Sequence, residues 1–337
     1  MKKLIFVLAA FFLVSSAFYL NSCSNSTSTT VRDTVFQHPF NFIQTPTTDD
    51  LRGVRFTTLK TGVAVGAGSI VHTFDGGLTW IPVVSGSGLD LYAVSFSDIN
   101  NGMAVGSNGA LKTTDGGLSW TAVALAAPFQ PRNVQMTSST TAYIIGNHYN
   151  DVDNTQGFIY KTTDGGITWH SLTITAPGLY GICFTDAMNG WVSGWQGVIF
   201  KTTDGGTSWV QQISHTTGTQ ISQLSFADAT HGMAAGYPSI AGDPTPPTSG
   251  YIITTSDGGA TWTPQATLNA MDGIWMSDAN NAMAAGWNGT IMETADGGKS
   301  WSSRSLGPLR LINIFLNDAN NGATVGLNGQ IYVIGPH

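Results

Sequence analysis

The 337 residues include 41 glycines but only 10% charged side chains, against roughly 25% charged and about 7% glycine in an average soluble domain. So little Glu, Lys and Arg excludes long helices with wet outer faces, and a formal charge of −7 argues against a nucleic-acid partner, which needs clustered cations. The composition is that of an all-β protein dense in turns.

The chain opens on a targeting segment. Lys2 and Lys3 precede an apolar run from Leu4 to Phe18, and Leu20-Asn21-Ser22-Cys23 follows where a cleavage site belongs. That order looks like a lipobox, so residues 1–22 are expected to be a lipoprotein signal peptide. Cys23 is the expected lipidated residue, and 23–32 a polar tether. Cleavage would remove two lysines and no acids, taking the formal charge from −7 to −9. Cys183 is then left without a disulfide partner. The segment from about Asp33 to Thr45 precedes the first repeat and has no assignment of its own.

From there the sequence repeats. The octapeptide Thr-x-Asp-Gly-Gly-x-Thr/Ser-Trp occurs six times, on Asp75, Asp115, Asp164, Asp204, Asp257 and Asp296. Copies begin near Leu51, Leu91, Pro131, Leu179, Ile221, Met271 and Leu311, and the seventh ends without the octapeptide. In the second copy, Leu91 to Phe96, Gly102 to Gly106, Ala110 to Thr114 and Ser119 to Ala124 read as four short strands. Gly-Ser-Asn-Gly at 106–109 has tight-hairpin chemistry. Four strands per ~40 residues is the period of a β-propeller blade. The sequence therefore predicts a seven-bladed propeller over 33–337, in which the segment 33–45 supplies the strand that blade seven lacks.

The octapeptide reads as a turn. Its Asp is expected to accept N–H groups two or three residues on, its glycines to supply unusual backbone angles, and its Trp to bury a ring with a locally satisfied N–H. It looks like the Asp-box (BNR) repeat, and the whole chain resembles the Ycf48/Hcf136-like photosystem II assembly-factor family across residues 33–337. The resemblance implies a non-catalytic scaffold that helps assemble or stabilise a membrane-protein complex. Asp-box propellers also include sialidases and xyloglucanases, which leaves a carbohydrate binder or degenerate glycosidase as the alternative.

The residues offer little chemistry. Six equivalent aspartates around a ring are turn organisers, and Asp98, Asp186, Asp228, Asp278 and Asp318 occupy a second repeated turn. Glu293, the single glutamate, stands where other blades carry Lys112, Lys161 and Lys201, so it is expected to be a solvated strand residue. No carboxylate pair suits a glycosidase. Arg52, Arg132 and Arg304 come without the Tyr-Glu dyad of a sialidase. The histidines show no metal-ligand spacing, and Asn150 to Asn154 copies half a calcium loop without its terminal acid, so neither metal nor cofactor is expected.

What remains is a surface. One propeller face should carry the Asp boxes, nearly identical from blade to blade. The other should carry the variable hairpins, with insertions at His148 to Gly157 and Pro238 to Gly250. Variation at one end of a rigid scaffold places binding there. Trp195, Tyr237 and Trp287 at the hairpin tips are candidate anchors, unless they merely cover neighbouring loops. Arg52, Tyr92, Arg132, Tyr180 and Asp272 should ring the channel mouth. The expected protein is a monomeric, lipid-anchored propeller of the bacterial envelope (outer membrane, periplasmic or surface-exposed). It should touch the membrane only through its anchor and bind a protein or a membrane complex, with a glycan as the other candidate ligand.

Overall fold

The computed structural model describes residues 38–107, 109–125, 129–148, 156–172, 174–238 and 247–335. The signal peptide, Cys23, the tether, residues 33–37, Asn108 and the inner parts of both insertions lie outside the described residues. The rest forms seven four-stranded antiparallel sheets. Blade one runs outward through Leu51–Phe56, Gly62–Gly66, Ile70–Thr73 and Ile81–Val83. The innermost strands pack side by side around the whole circle, the last (Leu311–Leu316) against the first. The fold is the expected β-propeller.

Closure is also as expected. Phe40–Ile43 pairs with Ile331–Ile334 as the outer strand of blade seven, Phe40 opposite Ile334 and Ile43 opposite Ile331. Thr45 then turns inward and donates to the carbonyl of Gly329 at 2.8 Å. Sharing one sheet between the two ends of the chain removes the open joint of the ring.

The core is built between blades by a rule the repeat itself states. A Phe ends the innermost strand in blades one, two, four and five, edge-on to the Asp-box Trp of its own blade: Phe56–Trp80, Phe96–Trp120, Phe184–Trp209 and Phe226–Trp262, at 5.8–6.2 Å. Each Phe lies over the glycine that opens the second strand. A Cβ added at Gly62, Gly102, Gly190 or Gly232 would fall 2.3–2.7 Å from the ring. Blades three and six carry Met136 and Met276 instead, and there the glycine is Ala142 or Ala282. Aromatic bulk and a missing methyl compensate each other, as close packing requires.

In blades four, six and seven the hairpin between second and third strands is a tight turn of the kind the sequence suggested, while that of blade two includes Asn108, outside the described residues. Gln196, Asn288 and Asn328 have φ of 59°, 56° and 55°, each followed by a glycine also at positive φ. Two successive left-handed residues make a primed turn, whose twist matches the strands it joins.

Candidate functional site

The channel mouth is shaped by a β-bulge repeated seven times. In every blade the register between first and second strands slips at the residue four positions before the end of the innermost strand, leaving it unpaired. A bulge re-aims the side chain it frees. The seven residues are Arg52, Tyr92, Arg132, Tyr180, Ser222, Asp272 and Ile312. The first four form a continuous arc: Arg52 lies 5.1 Å from the Tyr92 ring, and Arg132 lies 5.3 Å from Tyr92 and 5.8 Å from Tyr180. Alternating guanidinium and phenol at cation–π distance makes a half-buried rim that is both cationic and aromatic.

The charges along this rim are unequal. Arg52 pairs with Asp90 of the next blade. Asp272 is buried and held in a two-pronged contact by Arg310, at 2.8 Å to Nε and 2.6 Å to Nη2. Burial opposes the charge of Arg310, but Asp272 outweighs it and raises the guanidinium pKa above the ordinary value. Arg132 donates to Gln130 Oε1 at 3.1 Å and meets no carboxylate among the described residues. The residues expected at the mouth are therefore brought together, except that Asp272 faces Arg310 and is not free.

The hairpin-tip rings fare differently. Trp195 is only 7% exposed, so it covers its neighbours and is no open anchor. Trp287 is half-buried beneath Arg310, whose guanidinium carbon lies 4.6 Å from the ring. Tyr237 accepts from Gln220 Nε2 at 3.1 Å, and burial, helped by the charge of Asp272, pushes its hydroxyl up to about 12. These two wall the mouth near blades five and six.

On the opposite face the Asp boxes are turn organisers, with a correction to the expected pattern. Asp164 Oδ1 accepts the N–H groups of Ile167 and Thr168, three and four residues on, and the Thr162 hydroxyl at 2.7 Å. The Thr162 oxygen in turn accepts the N–H of Gly166. The threonine two residues before each Asp is thus a second organiser that the sequence reading missed. The indole N–H is met locally in blades one and two, by Gly77 and Gly117 carbonyls. Those of Trp169, Trp209, Trp262 and Trp301 have no such partner. Each box is tied to the other repeated turn of its blade, as where the Gly76 N–H meets the Lys60 carbonyl. The two sets of turns therefore share a face, as expected.

Glu293 corrects the sequence reading outright. It is 7% exposed, and its Oε2 lies 2.8 Å from His38 Nδ1. The position it occupies is an inter-blade tie. Lys112, Lys161 and Lys201 each donate to the carbonyl of the first Asp-box glycine in the next blade, at 2.8–3.1 Å, and His72 Nε2 approaches Gly116 in the same way. Blade seven has no Asp box to receive a lysine from blade six. The N-terminal segment brings His38 there instead, and the tie is remade with an acceptor on blade six.

Below the mouth, the penultimate residue of each innermost strand forms a further tier, and in all blades but the fifth, where it is Ser225, it lines the channel: Arg55, Ser95, Gln135, Cys183, Trp275 and Phe315. Ser95 accepts the N–H of Met136 in the next blade, Ser225 that of Met276, and Gln135 that of Phe184. Blades six, seven and one are joined by ring contacts, with Trp275 and Phe315 tilted against each other at 4.6 Å and the Arg55 guanidinium over both. Sequence reading missed this tier entirely. The signal was there in the aligned repeats, where only blade one has a cation.

Comparison with known proteins agrees with this architecture. Residues 33–179 match the family model for the photosynthesis system II assembly factor YCF48. No curated protein sequence matches the chain. Among solved structures, YCF48 bound to a D1 peptide superposes with a TM-score of 0.68 at 23% identity, covering 89% of this chain and 97% of that one. YCF48 from Cyanidioschyzon merolae gives 0.69 at 20%, covering 88% and 98%. A GH74 enzyme from Niastella koreensis gives 0.68 at 16%, covering 87% of this chain and 53% of its own. At such identities the superpositions show the propeller fold, and the family model matches the N-terminal part of the chain, residues 33–179: in those blades this chain is similar to the YCF48 assembly factors and their BNR repeats.

Proposed function

We propose that this protein is a non-catalytic, lipid-anchored scaffold of the bacterial envelope, which binds a protein segment at the variable end of its propeller and so supports a membrane-protein complex. The observation that carries the reading is the arc of Arg52, Tyr92, Arg132 and Tyr180 on that end. Aromatic and arginine side chains around a concavity are the usual anchors of protein recognition. The YCF48 structure with a bound D1 peptide supports protein binding by a propeller of this kind. Cys23 supplies the membrane attachment in this proposal, and the bound form is a monomer.

The glycan-directed alternative draws on the GH74 likeness. Against a hydrolase, the mouth carboxylates Asp90 and Asp272 are each tied to an arginine, so neither is free to flank a scissile bond as a glycosidase pair must.

Pull-down from solubilised envelope membranes tests the proposal. Arg132→Ala/Tyr180→Ala should lose partners that the wild type retains, at unchanged fold. Equal recovery by both would refute the mouth as the binding surface. Cys23→Ser should shift the protein to an unprocessed or soluble fraction, because acyl chains provide the membrane affinity. A normally processed, membrane-bound Cys23→Ser protein would remove the anchor from the proposal.

A further inference from the structure

The channel behind the mouth holds a charge that meets no counter-charge among the described residues. Arg55 lies three residues below Arg52 on the same strand, about 10 Å further in. It lines a cavity of about 180 Å3 whose wall contains no Asp or Glu. Burial pulls its pKa down to about 10, so it remains a cation at neutral pH. The neighbouring Cys183 does not compensate, because burial pushes its thiol up to about 11 and keeps it neutral. A buried charge without a partner is costly, and proteins normally supply one.

The geometry of Arg55 leaves its recognition edge available. The guanidinium carbon lies over the rings of Trp275 and Phe315, 4.5 and 5.0 Å from their centroids. Among the described residues its one hydrogen bond goes to the Val54 carbonyl, at 3.2 Å. Ring contacts consume none of the guanidinium N–H donors, and with one of them on Val54 the others can still grip a carboxylate as a fork. Arg132, also without a carboxylate among the described residues, stands above it at the entrance. A second group in the same cavity is unsatisfied: Asn313 donates to Gln223 Oε1 at 3.3 Å, but its own Oδ1 is buried with no donor.

We infer that the central channel is a binding site for a small hydroxycarboxylate, with Arg55 taking the carboxylate and Asn313 Oδ1 accepting the hydroxyl. The site lies below the surface used in the proposed scaffold role and does not depend on it. A ligand there would neutralise Arg55 and satisfy Asn313 at the junction of blades seven and one.

Isothermal titration of the purified protein with glycolate and acetate, at fixed ionic strength and with no protein partner, tests this. Glycolate should saturate one site, and acetate, lacking the hydroxyl, should bind at least tenfold more weakly. Arg55→Lys keeps the charge but loses the fork and should weaken glycolate at least tenfold. Arg55→Met keeps stacking bulk and should abolish binding. Circular dichroism of each variant establishes that it is folded, and should Arg55→Met fail to fold, Arg55→Lys carries the comparison. Folded wild type that binds neither probe, or glycolate affinity unchanged in Arg55→Lys, overturns the site. Equal affinity for the two probes overturns the part given to Asn313.

Discussion

Replacing Glu293 by lysine is the change that averaging the repeats would recommend, since three other blades carry lysine at that position. Consensus changes commonly stabilise by about 0.5–2 kcal/mol. Here the structure demands the opposite. A lysine from blade six finds no Asp-box carbonyl in blade seven. It would instead confront His38, and also Arg304, whose Nη2 donates to the His38 carbonyl at 2.8 Å and which feels the charge of Glu293. The side chains of Glu293 and His38 are only 8% and 14% exposed, so the loss is scarcely screened. Removing one partner of a buried pair costs about 3–5 kcal/mol. At roughly 2–3 °C per kcal/mol for a chain of this size, Glu293→Lys should melt roughly 6–15 °C below wild type. Lys112→Met, which removes an ordinary tie to Gly165, should cost only about 1 kcal/mol. Thermal melts followed by circular dichroism compare the three proteins directly. Glu293→Lys melting at or above wild type would show that His38 is not the clasp that joins the N-terminal strand to blade six.

Deleting residues 33–45 should destabilise the ring far more than deleting 24–30, because only the former removes the strand paired to Ile331–Ile334; equal melting temperatures would refute strand closure. Acid should unfold the protein through its turns. In Asp204 and Asp257 the hydroxyls and N–H groups of Ser208 and Thr261 hold the carboxyls at about 2, so their stabilisation is complete above the unfolded value of about 3.9 and drains away as pH falls towards 2. A melting temperature flat from pH 5 to 2 would contradict this. Asp164→Ala should lower the melting temperature while the folded fraction keeps its partner affinity, whereas Arg132→Ala should do the reverse. If Asp164→Ala abolishes binding at unchanged stability, the Asp-box face is the functional one.

The parts of this molecule that were legible in the sequence are those written once per blade. Six Asp boxes and seven upstream blocks state the blade count, the shared face of the turns and, through the missing seventh box, the need for a closing strand. The Phe–Gly and Met–Ala pairs could have been read the same way, since each partner changes with the other in blades three and six. What escaped was written only once, at places where blades must differ. Glu293 looked like a lysine variant because analogy between blades assumes that each has the same neighbour, and blade six does not. Its meaning lies 255 residues away in His38, a distance no local pattern spans. Trp195 looked like a candidate anchor because hairpin tips are usually exposed, yet it is buried, in a turn that meets the innermost strand of the next blade. Arg55 was hidden for another reason. Strand alternation says which residues leave the sheet, but not that the seven innermost strands converge on one narrow axis. Convergence turns seven unremarkable positions into a single environment, in which one cation without a carboxylate stands out only after the ring is closed.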